Sequence, residues 1–158
     1  MDSMSVTVCK EDDAGTDRLV GLVFETDSNA VSIYGNDDFH HRCTTGVLDR
    51  DGKDDWEKGK TELWKRKELG DCGHSEGRYR FNPQKELKVR VFVNPIALCW
   101  PFCFMANDEV AICNIRVSFT YPYLTNGNKT QWEWSGKEWI GKWNRDRKWH
   151  QMKIIQGS

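Results

Sequence analysis

Apolar and polar residues alternate with a period of two in much of this chain, which is typical of β-strands with one buried face. The clearest case is residues 86–93, where Leu87, Val89, Val91 and Val93 lie on one face of the predicted strand. Strand-like stretches occupy residues 4–9, 19–26, 30–34, 44–48, 78–81, 86–93 and 109–123. Turn residues such as Asn126-Gly127 separate them, so the sequence predicts an all-β or β-dominated fold.

Two segments depart from simple alternation. Residues 54–69 begin with acidic residues and end with basic ones, as a short helix does, yet Gly59 disfavours a helix and residues 61–67 also alternate. Helix and strand both remain open there. Residues 98–105 are apolar on both faces, which indicates one strand covered on both sides. We expect an antiparallel β-sandwich, or a partly open barrel, with at most one or two short helices.

The length of 158 residues suits a single globular domain, residues 1–158, which can bury enough surface to fold without a metal or a covalent staple. No apolar run reaches the roughly 18–20 residues that a membrane-spanning helix needs, so we expect no membrane span. The first residues do not resemble a signal peptide. A mature secreted protein has lost its signal peptide, so this observation leaves the compartment open. We expect a secreted protein in its mature form, lacking its signal peptide, with the cytoplasm as the alternative.

The formal net charge of −1 conceals an uneven distribution of charge. Residues 1–57 carry 14 acidic and 5 basic side chains, whereas residues 58–90 carry 10 basic and 5 acidic ones. Residues 132–158 carry 6 basic and 3 acidic side chains. The basic segments would suit a polyanion such as nucleic acid, whereas the acidic first third argues against that partner.

The cysteine content is compatible with two redox states. The six cysteines are Cys9, Cys43, Cys72, Cys99, Cys103 and Cys113, and they permit three disulfides in 15 connectivities. They equally permit buried thiols, because reduced cysteine behaves as a small apolar residue. The apolar, strand-like surroundings of Cys99, Cys103 and Cys113 favour buried thiols for some of these residues.

The last part of the chain is rich in tryptophan: Trp132, Trp134, Trp139, Trp143 and Trp149 are five of the eight in the sequence. Residues 135–138 suit a four-residue hairpin loop, which would place Trp134 opposite Trp139 and Trp132 opposite Gly141. In that hairpin Trp132, Trp134, Trp139 and Trp143 share one face. We expect Trp134 and Trp139 to be partly exposed and the other two to lie deeper.

This tryptophan face has two interpretations. It forms part of the core, or it is an aromatic platform, since tryptophan is enriched at binding hot spots and stacks on sugars and bases. Nearby arginines would then add hydrogen bonds or cation–π contacts. The predicted ligand-binding residues are Trp134, Trp139, Trp143, Trp149, Arg145 and Arg147.

Signals for metal binding are weak. The sequences His40-His41-Arg42-Cys43 and Cys72-Gly73-His74, together with Cys99 and Cys103, contain residue types that bind zinc. None has the spacing of a typical zinc site. We therefore expect no metal and no cofactor.

Signals for catalysis are equally weak. His74, Glu76, Arg78 and His150 would make an acid–base set suited to RNA cleavage if the fold brought them together. The chain contains no phosphate-binding glycine loop and no nucleophile elbow. We therefore predict no catalytic residue.

The sequence favours a non-enzymatic recognition module. It would bind a partner protein or a glycan through an aromatic, cation-flanked surface, as a secreted toxin-like protein or virulence effector does. Two alternatives stay open. One is a nucleic-acid-binding protein that uses the basic and aromatic residues of the C-terminal half, and the other is a small RNA hydrolase.

Overall fold

A computed structural model of the chain describes most of the strands and some of their connections. The described residues are 1–12, 14–15, 19–27, 41–48, 56–73, 81, 83, 85–94, 97–99, 103–105, 110–121, 128–140 and 148–157. Strands make up most of the described residues, and no helix within them has seven residues or more. The predicted β-dominated fold class is confirmed.

Every element in these ranges is short except two strands near the C-terminus. The strands are β1 (Ser3–Val8), β2 (Leu19–Thr26), β3 (Arg42–Leu48), β4 (Thr61–Lys65), β5 (Leu87–Asn94), β6 (Ala97–Cys99), β7 (Cys103–Met105), β8 (Val110–Tyr121), β9 (Asn128–Ile140), β10 (His150–Gln151) and β11 (Lys153–Gly157). Two single turns of 3-10 helix occupy Arg66–Glu68 and Gly70–Gly73.

The strands form two antiparallel sheets, as a β-sandwich-like fold requires. The five-stranded sheet has the order β11-β9-β8-β1-β4, and the four-stranded sheet has the order β10-β5-β2-β3. Strands β6 and β7 pair with each other as a separate hairpin. Consecutive strands β10 and β11 belong to different sheets, and the buried Met152 lies between them, so this short segment joins the two layers.

The core lies between the sheets and follows the predicted alternation. In β5 the inward residues Leu87, Val89, Val91 and Val93 are all 2% exposed or less, which confirms their predicted core positions. In β1 alternate residues are buried in the same way. Ile112 of β8 is fully buried, and Cys113 packs against the core while remaining partly accessible.

Strand β8 loses its alternation at its start, where Val110, Ala111 and Ile112 are all buried. The segment after β1 remains hydrogen-bonded to the backbone of β8 there. The Cys9 amide donates to the Ala111 carbonyl at 2.9 Å, and the Ala111 amide donates to the Ala14 carbonyl at 2.9 Å. Ala14 is itself fully buried, so the start of β8 stays paired with buried chain beyond the end of β1.

Two disulfides link distant parts of the chain. Cys9 is bonded to Cys113, and Cys43 is bonded to Cys72. Cys113, one of the three cysteines whose apolar surroundings favoured thiols for some of them, is therefore in a disulfide. Apolar surroundings indicate burial, but the sequence does not show that Cys9 comes beside Cys113 when β1 pairs with β8.

Residues 54–69 form a strand within the part that the structure describes, followed by a turn of 3-10 helix. Strand β4 pairs with β1 at the edge of the five-stranded sheet, with Trp64 opposite Met4. Trp64 is 1% exposed, whereas its neighbour Leu63 is 53% exposed. One large apolar residue on one side is enough for an edge strand, whereas a helix of this length would need a wider apolar face.

The single strand expected at residues 98–105 is wrong. The chain forms two three-residue strands there, β6 and β7, which pair with each other around Trp100-Pro101-Phe102. Proline lacks the amide proton that a continuous strand would donate, which favours a break at this position.

Other expectations fall on residues outside the described ranges: the strand at 30–34, residues 78–80 of the strand at 78–81, the Asn126-Gly127 turn, and Gly141 and Trp143. Among the helices that are described, none is long and apolar enough to cross a membrane.

Candidate recognition surface

The outer face of the four-stranded sheet carries two arginines, one on each side of β2. Alternate residues of a strand point to opposite faces, so the positions between the buried ones face outward. Arg42 of β3 lies opposite Glu25 of β2, and Arg90 of β5 lies opposite Val23 of β2. The register thus brings together two cations that are 48 positions apart in the sequence.

Trp149 completes this surface. It directly precedes β10, in which His150 pairs with Val89 of β5, so the indole arrives beside Arg90. The Cζ atom of Arg90 lies 4.7 Å from the centre of the Trp149 ring, and that of Arg42 lies 5.3 Å away. Each such cation–π contact contributes about 0.5–1 kcal/mol at an accessible site. We call Arg42, Arg90 and Trp149 the arginine–tryptophan surface.

Arg42 also forms an ion pair on this face. Its Nη2 donates to Glu25 Oε2 at 2.7 Å, and its Nε donates to the same oxygen at 3.2 Å. The Arg42 side chain is 57% exposed, so the pair contributes little to stability, about 0–1 kcal/mol. The guanidinium is oriented by Glu25 and Trp149 while a large part of it remains in contact with solvent.

A cleft of about 390 Å³ opens beside the two arginines. It is lined by Val23, Arg42, Cys43, Thr44 and Arg90. Ligand clefts range from about 300 to 1,000 Å³, so the volume of this one lies at the small end of that range. The cleft offers guanidinium donors, one hydroxyl group and an apolar wall, a combination that fits an anionic group attached to an apolar stem.

A disulfide and a hydrogen bond hold β3, the strand that lines one side of the cleft. Cys43 is 1% exposed, and its disulfide to Cys72 attaches β3 to the 3-10 turn Gly70–Gly73. Thr45 on the inner side of β3 accepts a hydrogen bond from the Leu22 amide at 3.0 Å. Because β3 is an edge strand of its sheet, these cross-links hold Arg42 and Thr44 in place.

His150 joins the two sheets behind the arginine–tryptophan surface. Its ring lies 4.4 Å from the ring centre of Trp134 in β9, and its Nε2 contacts the carboxylate of Glu138 in the same strand. Burial, together with the positive charge of Lys148, lowers the pKa of His150 below its usual value of 6.5. The imidazole is therefore neutral at pH 7, and its contacts with β9 fix the position of β10 and of the adjacent Trp149.

The predicted ligand-binding residues divide into three groups. Trp149 lies on the arginine–tryptophan surface, whereas Trp134 and Trp139 are partly buried and pack against the core. Trp143, Arg145 and Arg147 lie outside the described residues. Trp132 is 2% exposed, which agrees with its predicted depth, and the predicted partial exposure of Trp134 and Trp139 is confirmed. A ligand-binding role for Trp134 and Trp139 stays a prediction.

The hairpin predicted at residues 135–138 is wrong. Strand β9 runs without a turn from Asn128 to Ile140, so Trp134 and Trp139 lie on one strand. Their partners in β8 are Ile115 and Ala111. Trp139 stands between the buried residues Glu138 and Ile140, which places it on the other face of the sheet from them.

A bulge explains why this stretch does not turn. The register between β8 and β9 shifts where Gly136 and Lys137 form the longer side of the ladder. The ring of Trp134 lies over Gly136, 2.9 Å from where a Cβ would be. A Ser-Gly-Lys-Glu sequence suits a bulge as well as a turn, and the pairing with β8 selects the bulge.

The sequence did not identify Arg42 or Arg90 as binding residues. The alternation of β5 does predict that Arg90 faces outward, and this was the only indication in the sequence that Arg90 could contact a ligand. Arg42 had no comparable signal, because its distance from Trp149 depends on β3 and β10 belonging to one sheet.

The structure describes only parts of the weak zinc and catalytic motifs. Cys43 and Cys72, from two of the zinc motifs, are bonded to each other and provide no thiolate. Across the described ranges no group of three or more histidine, cysteine or acidic residues is placed to hold a metal ion. His74, Glu76 and Arg78 lie outside those ranges.

The chain matches no model of a known protein family, and no curated protein is significantly similar to it in sequence. The fold and the surface describe a β-dominated protein with two main sheets, in which two arginines and a tryptophan lie on the outer face of the four-stranded sheet.

Proposed function

We propose that this protein is a non-enzymatic recognition module that binds an acidic segment of a partner protein through the arginine–tryptophan surface. The observation that carries the proposal is the convergence of Arg42 and Arg90 on Trp149 beside a cleft. Arginine and tryptophan are the residue types most enriched at the energetic centre of protein interfaces. A carboxylate of the partner would occupy the cleft and accept hydrogen bonds from a guanidinium.

The chemistry of the surface supports an anionic ligand over a neutral glycan. Two guanidinium groups lie within 5.3 Å of the centre of the Trp149 ring, so a ligand that approaches the indole meets two positive charges. An anion binds to the guanidiniums and leaves their contact with the indole in place. The apolar wall at Val23 suits the methylene groups of a Glu or Asp side chain.

The charge of the whole chain supports a short acidic segment over a nucleic acid. A long polyanion interacts with many charges, and residues 1–57 carry 14 acidic side chains against 5 basic ones. Affinity for nucleic acid arises chiefly from neutralising several phosphates at once, which a net charge of −1 does not favour. A short acidic peptide needs only the local pair of arginines.

We further propose that the protein works in an oxidising compartment, as a secreted interaction protein of the toxin or effector type. The support for this location is the presence of two disulfides, Cys9–Cys113 and Cys43–Cys72. Disulfides persist in secreted and periplasmic proteins and are rare in a reducing cytosol.

The test is a binding screen with a library of synthetic acidic peptides, followed by calorimetric titration of the best binder. Arg90→Ala and Trp149→Ala should each weaken binding at least about tenfold, or about 1.4 kcal/mol. Arg116→Ala is the matched arginine control. It lies on the other sheet, is 59% exposed and pairs with Glu133, so binding should be unchanged.

Trp139→Ala is the matched tryptophan control, because Trp139 lies in the five-stranded sheet. If it weakens binding more than Trp149→Ala does, the ligand binds at Trp139 on the five-stranded sheet instead. Binding of an RNA oligonucleotide that is tighter than that of every acidic peptide, and that weakens steeply with salt, would replace this proposal with nucleic-acid recognition.

A further inference from the structure

The separate hairpin of β6 and β7 brings two cysteines together. The two strands pair in antiparallel register, with Ala97 opposite Met105 and Leu98 opposite Phe104. Cys99 is the last residue of β6, Cys103 is the first residue of β7, and the register places them directly opposite each other. Three residues, Trp100-Pro101-Phe102, connect them.

The backbone geometry of such a pair suits a disulfide. Directly opposed residues in an antiparallel pair have Cα atoms about 4.5 Å or about 5.5 Å apart, depending on whether the pair is hydrogen-bonded. Both values fall in the range of about 4.4–6.8 Å that disulfides span. The Cα separations of the two disulfides described above, 5.2 and 5.1 Å, are similar.

The other cysteines leave a single pairing. Cys9 is bonded to Cys113, and Cys43 is bonded to Cys72, so neither pair competes for Cys99 or Cys103. Of the 15 connectivities that six cysteines allow, one is compatible with both observed bonds and joins all six residues.

We propose that Cys99 and Cys103 form a third disulfide, which closes a ring of five residues at the tip of the β6–β7 hairpin. To form the bond, each thiol gives up its proton, and the two sulfurs together transfer two electrons to a disulfide oxidant such as oxidised glutathione. The oxidant leaves as two thiols. This inference does not depend on the arginine–tryptophan surface.

The bond has a structural consequence for the hairpin. A two-stranded ribbon of three residues per strand is barely stable by itself. A covalent bond at the position next to the connection holds β6 and β7 in their register. It also completes the pairing of the six cysteines, which leaves the chain without a thiolate for a metal.

The experiment is disulfide mapping of the full chain after oxidation in a glutathione buffer. The protein is denatured without reduction, alkylated with iodoacetamide, digested with chymotrypsin and analysed by mass spectrometry. Chymotrypsin cleaves after Phe102, so the bond would join two peptides that separate only on reduction. We expect that linked pair and no alkylated cysteine. Alkylation of both Cys99 and Cys103, or a bond from either to another cysteine, would overturn the proposal.

Two variants give an independent readout. Cys99→Ser should expose one alkylatable thiol, at Cys103, whereas the double variant Cys99→Ser/Cys103→Ser should expose none. Digests of both variants should still contain the peptides linked by Cys9–Cys113 and by Cys43–Cys72. A wild-type protein that shows two thiols where the double variant shows none would mean that the bond does not form. If a variant fails to fold, the mapping of the wild-type chain decides by itself.

Discussion

At the scale of single residues, burial and close contact decide which side chains matter for stability. Val91 is 2% exposed and Val47 is 38% exposed, although both are valines on strands of the same sheet. Gly21 and Gly136 are both strand glycines, but an added methyl group would meet different neighbours at each. Within each pair the same substitution is made in two different environments, so a difference in stability reflects the environment and not the residue type.

Val91→Ala should lower the free energy of unfolding by about 1–3 kcal/mol, since two methyl groups leave the core and a cavity remains. Val47→Ala should change it by less than about 0.5 kcal/mol, because solvent already reaches that side chain. Urea denaturation of both variants measures the difference. Equal losses would mean that Val91 is not in the core.

Gly21→Ala should cost about 1–3 kcal/mol, because its Cβ would overlap the carbonyl oxygen of Gly46 and the ring of Phe92. The carbonyl belongs to the backbone of the paired strand and cannot move aside. Gly136→Ala should cost less, because the nearest atom there belongs to the movable Trp134 ring, at 2.9 Å. Thermal unfolding compares the two variants, and a larger loss for Gly136→Ala would contradict the explanation.

At the scale of elements, the shortest strand has a disproportionate role. Strand β10 has two residues, yet it places His150 between the sheets, and Trp149 directly before it lies on the outer face. Consecutive residues point to opposite faces, so the contacts of His150 inside and of Trp149 outside are made by neighbours in the chain. The position of Trp149 therefore depends on contacts that His150 makes with Trp134 and Glu138.

Stability should fall as the pH is lowered through and below 6.5, with His150 contributing to the loss. Burial lowers the pKa of His150 in the folded state, so the unfolded chain takes up this proton first as the pH falls. The charged groups near the ring are Glu138 of β9 and Lys148. His150→Gln, which cannot titrate, should lose this part of the pH dependence.

Urea denaturation between pH 7.5 and pH 5 provides the measurement, and an NMR titration of the His150 ring provides the pKa directly. A ring that titrates above 6.5 would reverse the sign, because protonation would then stabilise the fold through Glu138.

At the scale of the whole molecule, disulfides tie together segments that lie far apart in the sequence. Cys9–Cys113 spans 104 positions and Cys43–Cys72 spans 29. In the chain-entropy account, a disulfide stabilises by restricting the unfolded chain, and the effect grows slowly with the size of the loop. Both bonds should therefore contribute substantially, and the longer loop should contribute more.

Cys9→Ser/Cys113→Ser should lower the free energy of unfolding by about 5 kcal/mol, and Cys43→Ser/Cys72→Ser by about 4 kcal/mol. Guanidinium denaturation of each double variant, under conditions that keep the other disulfide, measures both. A clearly larger loss from the shorter loop would show that packing around Cys43 and Cys72 outweighs the entropy of the unfolded chain.

The sequence by itself determined the fold class and the inner face of several strands, because the period of two in residues such as 87–93 reflects local backbone geometry. The period of two depends on neighbours in the chain, which a sequence pattern records. The predicted depth of Trp132 and the partial exposure of Trp134 and Trp139 also agree with the structure, but they were argued from a hairpin that does not form.

The tertiary structure alone decided which strands are partners, and with them the candidate site. Whether residues 135–138 turn or bulge depends on pairing with β8, since the same four residues suit both. Whether Cys113 is a thiol or a disulfide depends on β1 lying beside β8. Arg42, Arg90 and Trp149 meet because β3, β5 and β10 share a sheet, and contacts between residues so far apart leave no local pattern in the sequence.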